Sequence, residues 1–566
     1  MLDADIGTIR IEPDAYPFQL GSYHFPSSTQ NADAALWFDR GMTWIFGFNH
    51  EEAAICFRQA VLCDPDMAIA WWGIAYASGP FMNMPWSWFD ADELAIALPL
   101  CHGAIMRAHA TSQQRPVSAL EAAIIQAALL RYPDAAMVDL AILEGRERAH
   151  ADAMLVAYNQ MPDDPDMAML YIDAQIMLTP WHMWDITTAQ PNPAARTAAV
   201  MAALDRALSG AGANHIGLLH YHIHVMEMSP TPEDALESAR RLRALAPPDT
   251  GHLHHMPAHI LALTGDYGAA MECSALAVAA DARYLAAGGT GVFYRTSMCH
   301  DLHMQMFAGM QAGHYASAQS AVDDMTELLH QSLPYDGKRQ MVATLEGYYS
   351  MRMHVAVRFG HWQAIIDALP PEDTKTYPVS LAMHHYAQAV AHAALGDAAA
   401  ADISAHAFDQ ACAVIPAGRF FFNNPALDTL GVAAAMMRGE MLYHRGEYDR
   451  AFAWLETAVE RDDALFYNEP WAWMHPPRHA LGALLLEQGH VECARDVYLA
   501  DLGYDKAVPR CKRHANNIWA LHGVHECLER LGDARADQFA TILAEKTLLS
   551  DQQILASCCC RREKFT

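Results

Sequence analysis

The sequence predicts an all-α protein assembled from repeated helix pairs, and three observations support this fold class. From Ala34 onward the apolar residues follow the period of helices, and we find no stretch that alternates in the manner of a strand. A short pattern of glycine, a polar residue, an aromatic or small residue and alanine recurs along the chain. It begins at Gly265, Gly313, Gly360, Gly396, Gly446, Gly489 and Gly532, at intervals of 48, 47, 36, 50, 43 and 43 residues. This repetition indicates a helical-repeat solenoid, a superhelix in which each helix pair packs on its neighbours.

The sequence indicates three segments of unequal size. Residues 1–33 contain several prolines and no helical period, so we expect an extended N-terminal arm. Residues 34–555 are predicted to form the solenoid as a single architectural unit, because repeats that pack only on their neighbours are not bound by the usual domain size. Residues 556–566, which include three consecutive cysteines, are predicted to be a disordered C-terminal tail.

Charge and hydropathy exclude several classes of function. The 66 acidic side chains outnumber the 37 basic ones and give a net charge of −29, which argues against a nucleic-acid partner because phosphates require Lys and Arg. We find no run of 18 uncharged apolar residues, and the N-terminus lacks the basic and apolar regions of a signal peptide. The cysteines form no CxxC pattern. We therefore expect a cytoplasmic protein without a membrane partner.

Two histidine pairs are the strongest chemical signal in the chain. His220, His224 and Glu227 follow one another at spacings of four and three residues, which places them on one face of a helix. His255 and His259 also stand four residues apart, and each lies 35 residues after its counterpart in the first pair. Because equivalent positions of successive repeats lie side by side, we predict that both pairs meet at one transition-metal site.

The helix pattern places these histidines on the first helices of successive pairs. Residues 215–228 and 252–264 are predicted first helices, and the next one, 295–312, carries His300 and His303 on one face. First helices of a repeat solenoid line its concave side, so six imidazoles are predicted to face one groove. His222 and His252 point off the shared face in this prediction.

The metal is expected to be a transition ion rather than Ca²⁺ or Mg²⁺, which prefer oxygen ligands. Copper or iron is favoured because imidazoles are many and carboxylates few, and zinc is possible because sites of three histidines are common for zinc. HxxxH lacks the glutamate of HExxH, so the sequence does not predict a zinc protease. Glu227 is expected to orient a ligand imidazole through its distal nitrogen.

Further residues are predicted to take part in the same groove. The candidates for a role in the chemistry are Glu227, Tyr294 and His475. The candidates for substrate contacts are Trp181, Trp184, Arg295, Trp473 and Arg478.

Several segments resemble known repeat proteins. The segment 34–57, which ends in GFNHEEAAICF and has small residues at Gly41 and Ala53 and a large one at Phe57, resembles the tetratricopeptide repeat. HYHIHVMEMSP at 220–230 and GHLHHMPAHI at 251–260 are more closely similar to a lineage of full-length repeat proteins in bacteria and some fungi, with HxxxHxxE and HMPxHI motifs. The resemblance implies a tetratricopeptide fold over nearly the whole chain and implies no particular activity.

The sequence leaves three functions open. The first is a metal-dependent enzyme in which copper or iron activates dioxygen for oxidation of a small organic substrate. The second is a zinc-dependent hydrolase or lyase at the same site. The third is a scaffold that binds a protein partner without catalysis, and a homo-oligomer is also possible. Peptide-binding repeats line their groove with Asn, Lys and Arg, whereas these helices carry His and aromatic residues, which favours an enzyme.

Overall fold

The computed structural model describes residues 10–289, 291, 293–332 and 339–561. Over these residues the chain is predominantly helical, which confirms the predicted all-α fold class. It divides into two compact units, where the sequence indicated a single architectural unit. Unit 1 contains 1–229, 234–257 and 276–298, and unit 2 contains 230–233, 258–275 and 299–566.

Unit 1 is built mainly from the first half of the chain. Its helices are α1 (Ala32–Phe46), α2 (His50–Cys63), α3 (Ala68–Ser78), α4 (Ala91–Gln114), α5 (Ala119–Arg131), α6 (Leu140–Gln160), α7 (Pro165–Ile176), α8 (Thr197–Ser209), α9 (Ile216–Met226), α10 (Leu236–Leu245) and α11 (Gly251–His255). The chain passes between the units within or beside three further helices, α12 (Pro257–Thr264), α13 (Tyr267–Ala286) and α14 (Tyr294–Ala312).

Unit 2 continues with helices to near the C-terminus. They are α15 (Tyr315–Ser332), α16 (Arg339–Ser350), α17 (Arg352–Arg358), α18 (Trp362–Asp367), α19 (Pro378–Leu395), α20 (Ala398–Ala413), α21 (Ala426–Tyr443), α22 (Tyr448–Ala464), α23 (Pro477–Glu487), α24 (Val491–Asp501), α25 (Ile518–Leu531) and α26 (Ala536–Thr547). Among the described residues no helix is both long and apolar enough to cross a bilayer.

Short irregular elements join these helices. In the part of the chain that the structure describes, 3₁₀ turns lie at Pro13–Ala15, Trp86–Trp88, Pro232–Ala235 and Arg510–Lys512. Antiparallel pairs of two-residue strands also occur there, β1 (Trp184–Asp185) with β2 (Gln190–Pro191), and β3 (Phe420–Phe421) with β4 (Asn424–Pro425). These pairs were not predicted, since two residues are too few to show strand alternation.

Polar caps define where many helices begin. The Asn31 side chain accepts backbone N–H groups at the start of α1, and Asn49 does the same for α2. α5 begins with a capping box, in which Ser118 and Glu121 each satisfy the backbone N–H of the other. Such caps satisfy N–H groups that have no partner inside the helix, and so they fix the helix boundaries locally.

Aromatic rings packed between glycines hold successive helices together. In unit 1 the Phe57 ring of α2 lies against Gly41 of α1 and Gly73 of α3, where a Cβ would stand only 2.4 and 2.6 Å from ring carbons. In unit 2 the Tyr498 ring of α24 lies in the same way against Gly482 and Gly523. This alternation of small and large residues is the packing that the tetratricopeptide pattern predicts.

The helix pairs stack in the order expected of a repeat protein. In unit 2 the first helices α19, α21, α23 and α25 contact one another in succession, and each packs on the second helix that follows it. The seven glycines of the repeated pattern all have positive φ, as at Gly396, where φ is 86° and the helix α19 ends. Glycine adopts this conformation without steric cost, so the repeated pattern marks the turn inside each pair.

Both termini pack more closely than the sequence indicated. In the arm, Tyr16, Phe18 and Phe25 are buried, and the Tyr16 hydroxyl donates to Glu52 at 2.8 Å. At the other end, Ala556, Ser557, Cys560 and Arg561 are buried in unit 2, which contradicts the predicted disordered tail as far as residue 561. Residues 562–566 lie outside the described residues.

Candidate metal centre

Helix α9 carries the first histidine pair and is buried along its whole length. His215 caps its N-terminus, where Nδ1 accepts the N–H of Leu218. The helix passes so close to α1 that a Cβ on Gly217 would lie 2.7 Å from the Phe46 ring. At its other end, the Trp184 indole N–H donates to the Val225 carbonyl at 2.7 Å. These contacts fix α9 within unit 1.

The first two imidazoles are held in one tautomer. His220 Nδ1 lies 2.7 Å from the Phe46 carbonyl oxygen, and His224 Nδ1 lies 2.8 Å from Glu227 Oε1. Because a carbonyl or carboxylate oxygen only accepts, each Nδ1 carries the hydrogen and the lone pair of the neutral ring lies on Nε2. A hydrogen bond of this kind is what orients histidine ligands in metal sites, and it is the contact that the predicted role of Glu227 requires.

A third imidazole from α11 completes the cluster. The ring centroid of His252 lies 5.0 Å from that of His220 and 6.3 Å from that of His224. One ring nitrogen of each of the three histidines lies within 4.8 Å of the others. Nitrogen ligands of one ion stand roughly 3–4 Å apart, since the metal to nitrogen distance is about 2.0–2.1 Å. Small side-chain adjustments would therefore bring all three to one ion.

An aromatic side chain forms one wall of this cluster. Phe48 lies in the turn between α1 and α2, and its ring centroid stands 4.5, 5.7 and 5.1 Å from those of His220, His224 and His252. Its φ is +56°, which is unusual for a residue other than glycine. The surrounding structure must hold Phe48 in this conformation, and the conformation directs the apolar Phe48 ring onto the three imidazoles.

Tyr294 lies at the start of α14 and contacts α11, the helix that carries His252. Its hydroxyl donates to Asp281 Oδ1 at 3.1 Å, and a Cβ on Gly251 would stand 3.1 Å from that hydroxyl and 2.1 Å from the carboxylate oxygen. Gly251 is therefore required where the tyrosine and the aspartate approach the α11 backbone. Tyr294 thereby helps to position α11 within unit 1.

The position of His252 beside His220 and His224 was not predicted, because the predicted helix 252–264 is in fact two helices. Pro257 begins α12, and α11 ends at His255. Proline disfavours helical conformation in the residue before it, so HMP was the available signal for this break. His255 lies beside the cluster, with its ring centroid 5.8 Å from that of His252. The convergence of all four predicted imidazoles on one ion stays a prediction.

Unit 2 contains a second group of side chains whose types could bind a metal. His259 Nε2 and His300 Nε2 lie 3.3 Å apart. Glu469 Oε2 lies 3.9 Å from His259 Nδ1 and 4.0 Å from His300 Nε2. Both histidines were predicted as ligands, whereas Glu469 was not, since it stands about 170 residues further along the chain without a motif of its own.

His303 lies among aromatic residues rather than carboxylates. Its ring stacks on Phe422 at 5.2 Å and meets the edge of Tyr348 at 5.4 Å. Burial, with a smaller effect of His354, lowers the pKa of His303 to about 3. The ring is therefore neutral at physiological pH, and its role as a ligand stays a prediction.

Three predicted residues near 475 belong to unit 2. The Nδ1 atoms of His475 and His354 lie 3.4 Å apart, and His475 Nε2 lies 3.2 Å from the Tyr386 hydroxyl. The Trp473 indole N–H points to Met436 Sδ at 3.1 Å. Arg478 pairs with both oxygens of Asp463 at 2.7 Å. The contacts of Trp473 and Arg478 are those of packing and of an ion pair, and their roles toward a substrate stay predictions.

The remaining predicted substrate residues lie in unit 1. Trp181 stacks on Trp88, with ring centroids 6.0 Å apart. Trp184 contacts the last turn of α9 at Val225, the residue that follows His224. Arg295 is half-buried at the start of α14. Of these residues, Trp184 has the most direct connection to the helix that carries the histidine pair.

Comparison with known proteins adds no functional assignment. No protein-family model matches the chain, and no curated protein matches it. Similar solved structures include the Cut9–Hcn1 complex of the APC/C, at 12% identity over 78% of this chain and 76% of that chain, with a TM-score of 0.28. The tetratricopeptide domain of P58(IPK) is 14% identical over 81% and 99% of the two chains, with a TM-score of 0.21. The Naa15/Naa10 complex with HypK is 11% identical over 91% and 75%, with a TM-score of 0.20. With TM-scores this low, the fold assignment rests on the helix pairs described above.

Proposed function

We propose that this chain is a metal-dependent enzyme and that His220, His224 and His252 hold its transition-metal ion. One observation carries the proposal. The Phe46 carbonyl and the Glu227 carboxylate each bind the Nδ1–H of an imidazole, which leaves the Nε2 lone pairs of His220 and His224 beside a third histidine. Histidines that serve only as core residues have no need of this common orientation.

The ligand set favours copper or iron. Imidazole suits copper, iron, nickel and zinc, whereas thiolate and thioether ligands are not part of this cluster. Three histidine ligands leave a coordination position open, which is the arrangement of catalytic rather than structural sites. When bound, the ion would activate dioxygen for the oxidation of a small organic substrate, and zinc at the same position would instead support hydrolysis.

The chain's own residues would organise this site. Glu227 would keep His224 in the required tautomer, and the Phe46 carbonyl would do the same for His220. The Phe48 ring would exclude water from one side of the imidazoles. Because both His224 and Glu227 are only 1% exposed, their hydrogen bond is protected from competing solvent.

The second group, in unit 2, offers two imidazoles to an ion. His259 Nε2 faces His300 Nε2 at 3.3 Å, whereas Glu469 stands nearest the other ring nitrogen of His259. We include this group in the proposal as a second ion-binding position.

Metal analysis of purified full-length protein tests the proposal. We expect at least one tightly bound transition ion per chain, with a strong loss in His220→Ala and His224→Ala and a separate loss in His259→Ala. His222→Ala is the matched control, because His222 lies on the same helix but contacts Ser238 at 2.7 Å. Its metal content should equal that of the native protein.

Electron paramagnetic resonance of the same samples identifies the ion. Copper(II) and high-spin iron give distinct signals, and zinc gives none. Negligible metal in the native protein, or equal metal in His224→Ala and His222→Ala, would leave the chain as an interaction scaffold that binds a protein partner. Copper or iron together with dioxygen uptake in the presence of small organic compounds would support the oxidative activity.

A further inference from the structure

Three consecutive cysteines of unit 2 lie in a segment that is held on several sides. Ser557 donates to the His479 carbonyl at 2.9 Å and contacts the Tyr498 hydroxyl at 2.5 Å. On the other side of the cysteines, the Arg561 guanidinium pairs with Glu526 at 2.9 Å. The sulfur atoms between these anchors therefore have defined positions.

The three sulfurs have different environments. Cys558 and Cys560 form a disulfide bond. Cys558 is partly exposed and lines a small cavity of about 20 Å³, roughly the space of one water molecule, whereas Cys560 is completely buried. The Cys559 thiol is directed to the Arg358 carbonyl at 3.6 Å. A solute that approaches from solvent would therefore meet Cys558 before Cys560.

A disulfide between residues two apart has little value as a crosslink. It closes the shortest of loops, and the entropy that a disulfide removes from the unfolded chain grows with loop length. The bond instead lies beside a cavity and close to a titratable group. This position is more typical of a bond that opens and closes than of a structural one.

That titratable group is Glu440 of α21. One of its carboxyl oxygens lies within 4.8 Å of the Cys558 and Cys560 sulfurs, and the side chain lines the same cavity. Burial raises the pKa of Glu440 to about 8. At neutral pH the group is therefore mainly a carboxylic acid, and it can donate a proton to a departing sulfur.

We propose that Cys558 and Cys560 form a redox-active dithiol–disulfide couple, which is reduced by a small thiol that attacks the partly exposed Cys558 and which uses Glu440 as proton donor. The thiolate of the small thiol attacks Sγ of Cys558, and the bond to Cys560 breaks. The electron pair goes to the Cys560 sulfur, which takes the proton of Glu440. A second thiolate attacks the small-molecule sulfur of the mixed disulfide and releases Cys558, which is protonated from water. Two thiols are thereby oxidised to one disulfide, and the cystine is reduced to two cysteines.

Glutathione redox buffers test the couple in the full-length protein. Samples equilibrated at different ratios of reduced to oxidised glutathione are quenched with acid, alkylated and measured by peptide mass. We expect Cys558 and Cys560 to change together from unlabelled to labelled across one transition. In Cys559→Ser, Cys558 and Cys560 should show the same transition, because the Cys559 thiol of the native protein is directed to the Arg358 carbonyl. In Cys560→Ser, glutathione should accumulate on Cys558.

Three results would overturn the couple. The first is labelling of Cys558 and Cys560 at every glutathione ratio, and the second is a mixed disulfide on Cys559 instead of Cys558. The third is thiols that become reactive only after a chelator is added, because that result would indicate a soft-metal site formed by the same sulfurs and Glu440. None of these outcomes depends on the histidine cluster of unit 1, so this proposal and the proposed function can fail separately.

The role of Glu440 has its own test. In Glu440→Gln the rate of reduction per thiolate should fall about 100-fold at pH 7, the usual contribution of a general acid. In the native protein, the rate of disulfide reduction divided by the concentration of glutathione thiolate should fall as the pH rises through about 8. In Glu440→Gln the same quantity should not change with pH. Equal rates, or equal pH profiles, would exclude Glu440 as the proton donor.

The neighbours of Glu440 do not obscure this profile between pH 6 and 8.5. The titratable and charged groups that face it are His475, His479, Arg358, Tyr386 and Cys559. Burial lowers the pKa of His475 well below its usual value and, despite nearby Asp501, that of His479 to about 4. Burial also lowers the pKa of Arg358 to about 9, raises that of Cys559 to about 11 and raises that of Tyr386 still further.

Discussion

At the scale of single residues, the decisive feature of the candidate metal centre is the hydrogen bond between Glu227 and His224. The carboxylate fixes the ring orientation and the tautomer, and its negative charge increases the electron density on the nitrogen that would bind the ion. The Phe46 carbonyl provides the same orientation to His220 without a charge. The two imidazoles should therefore respond differently to loss of their hydrogen-bond partners.

We predict that Glu227→Gln weakens metal binding about 10-fold and that Glu227→Ala weakens it up to about 100-fold. Glutamine can still accept the Nδ1 hydrogen but has no charge, whereas alanine removes the acceptor. Titration of the apoprotein against a chelator of known affinity measures both effects. Glu237→Gln is the control, since Glu237 is exposed and pairs with Arg240 and Arg241. Unchanged affinity in both Glu227 variants would contradict the orienting role.

The site was predictable only where its residues lie close together in sequence. His220, His224 and Glu227 share a helix face, and helical spacing alone places them together. His252 comes from another helix whose end is set by Pro257, and Phe48 enters from a turn with positive φ. Glu469 reaches His259 and His300 by tertiary folding. No local sequence pattern could have indicated that Phe48 or Glu469 lies beside these histidines.

At the scale of elements, the contacts between small and large side chains explain why the repeats were visible in the sequence. Gly41, Phe57 and Gly73 form one packed group, and Gly482, Tyr498 and Gly523 form another. Such close approach leaves space for glycine alone, so the requirement appears directly as residue types. Helix ends within the predicted repeats were harder to predict, as the break between α11 and α12 at Pro257 inside the predicted helix 252–264 shows.

We predict opposite effects for two glycine substitutions in helices of unit 1. Gly41→Ala should destabilise the protein by about 1–3 kcal/mol, because its Cβ would stand 2.4 Å from a Phe57 ring carbon. Gly145→Ala in α6 should stabilise it by about 0.5–1 kcal/mol, since nothing lies within 4 Å of the added Cβ and alanine favours the helix. Chemical denaturation measures both changes. Stabilisation by Gly41→Ala would show that α1 and α2 pack less closely than described.

At the scale of the whole molecule, helical period and the repeated glycines were sufficient to predict an all-α repeat fold. They were not sufficient to predict two compact units, because every repeat looks alike in sequence and the division follows from tertiary contacts. The burial of 556–561 was also missed, since composition gives no indication that Arg561 finds Glu526. Local signals thus determine the repeats, and long-range contacts determine how they are grouped.

The burial of neutral histidines throughout the chain predicts sensitivity to acid. Burial lowers the pKa of His50, His303 and His354 to about 3, whereas the unfolded value is about 6.5. Between these values the unfolded chain binds more protons, so stability is present above pH 6.5 and is lost as the pH falls toward 3. The contribution of Glu440 to folding stability depends on pH in the opposite direction. Its raised pKa favours folding at low pH, and this stabilisation is lost as the pH rises through about 8. The several histidines should outweigh this single carboxyl group.

We therefore predict that the midpoint of thermal unfolding falls by about 5 °C between pH 7 and pH 5, since the three histidines together lose about 6 kcal/mol and the entropy of unfolding of a chain of this length is about 1.2 kcal/mol per kelvin. His50→Gln should reduce this fall, because glutamine cannot gain a charge on unfolding. His406→Gln is the matched control, since His406 is exposed and its substitution should leave the fall unchanged. Calorimetry at both pH values measures the midpoints. Equal midpoints at pH 7 and pH 5 would show that the buried histidines are already protonated in the folded chain, and a fall that His50→Gln does not reduce would assign the acid sensitivity to other groups.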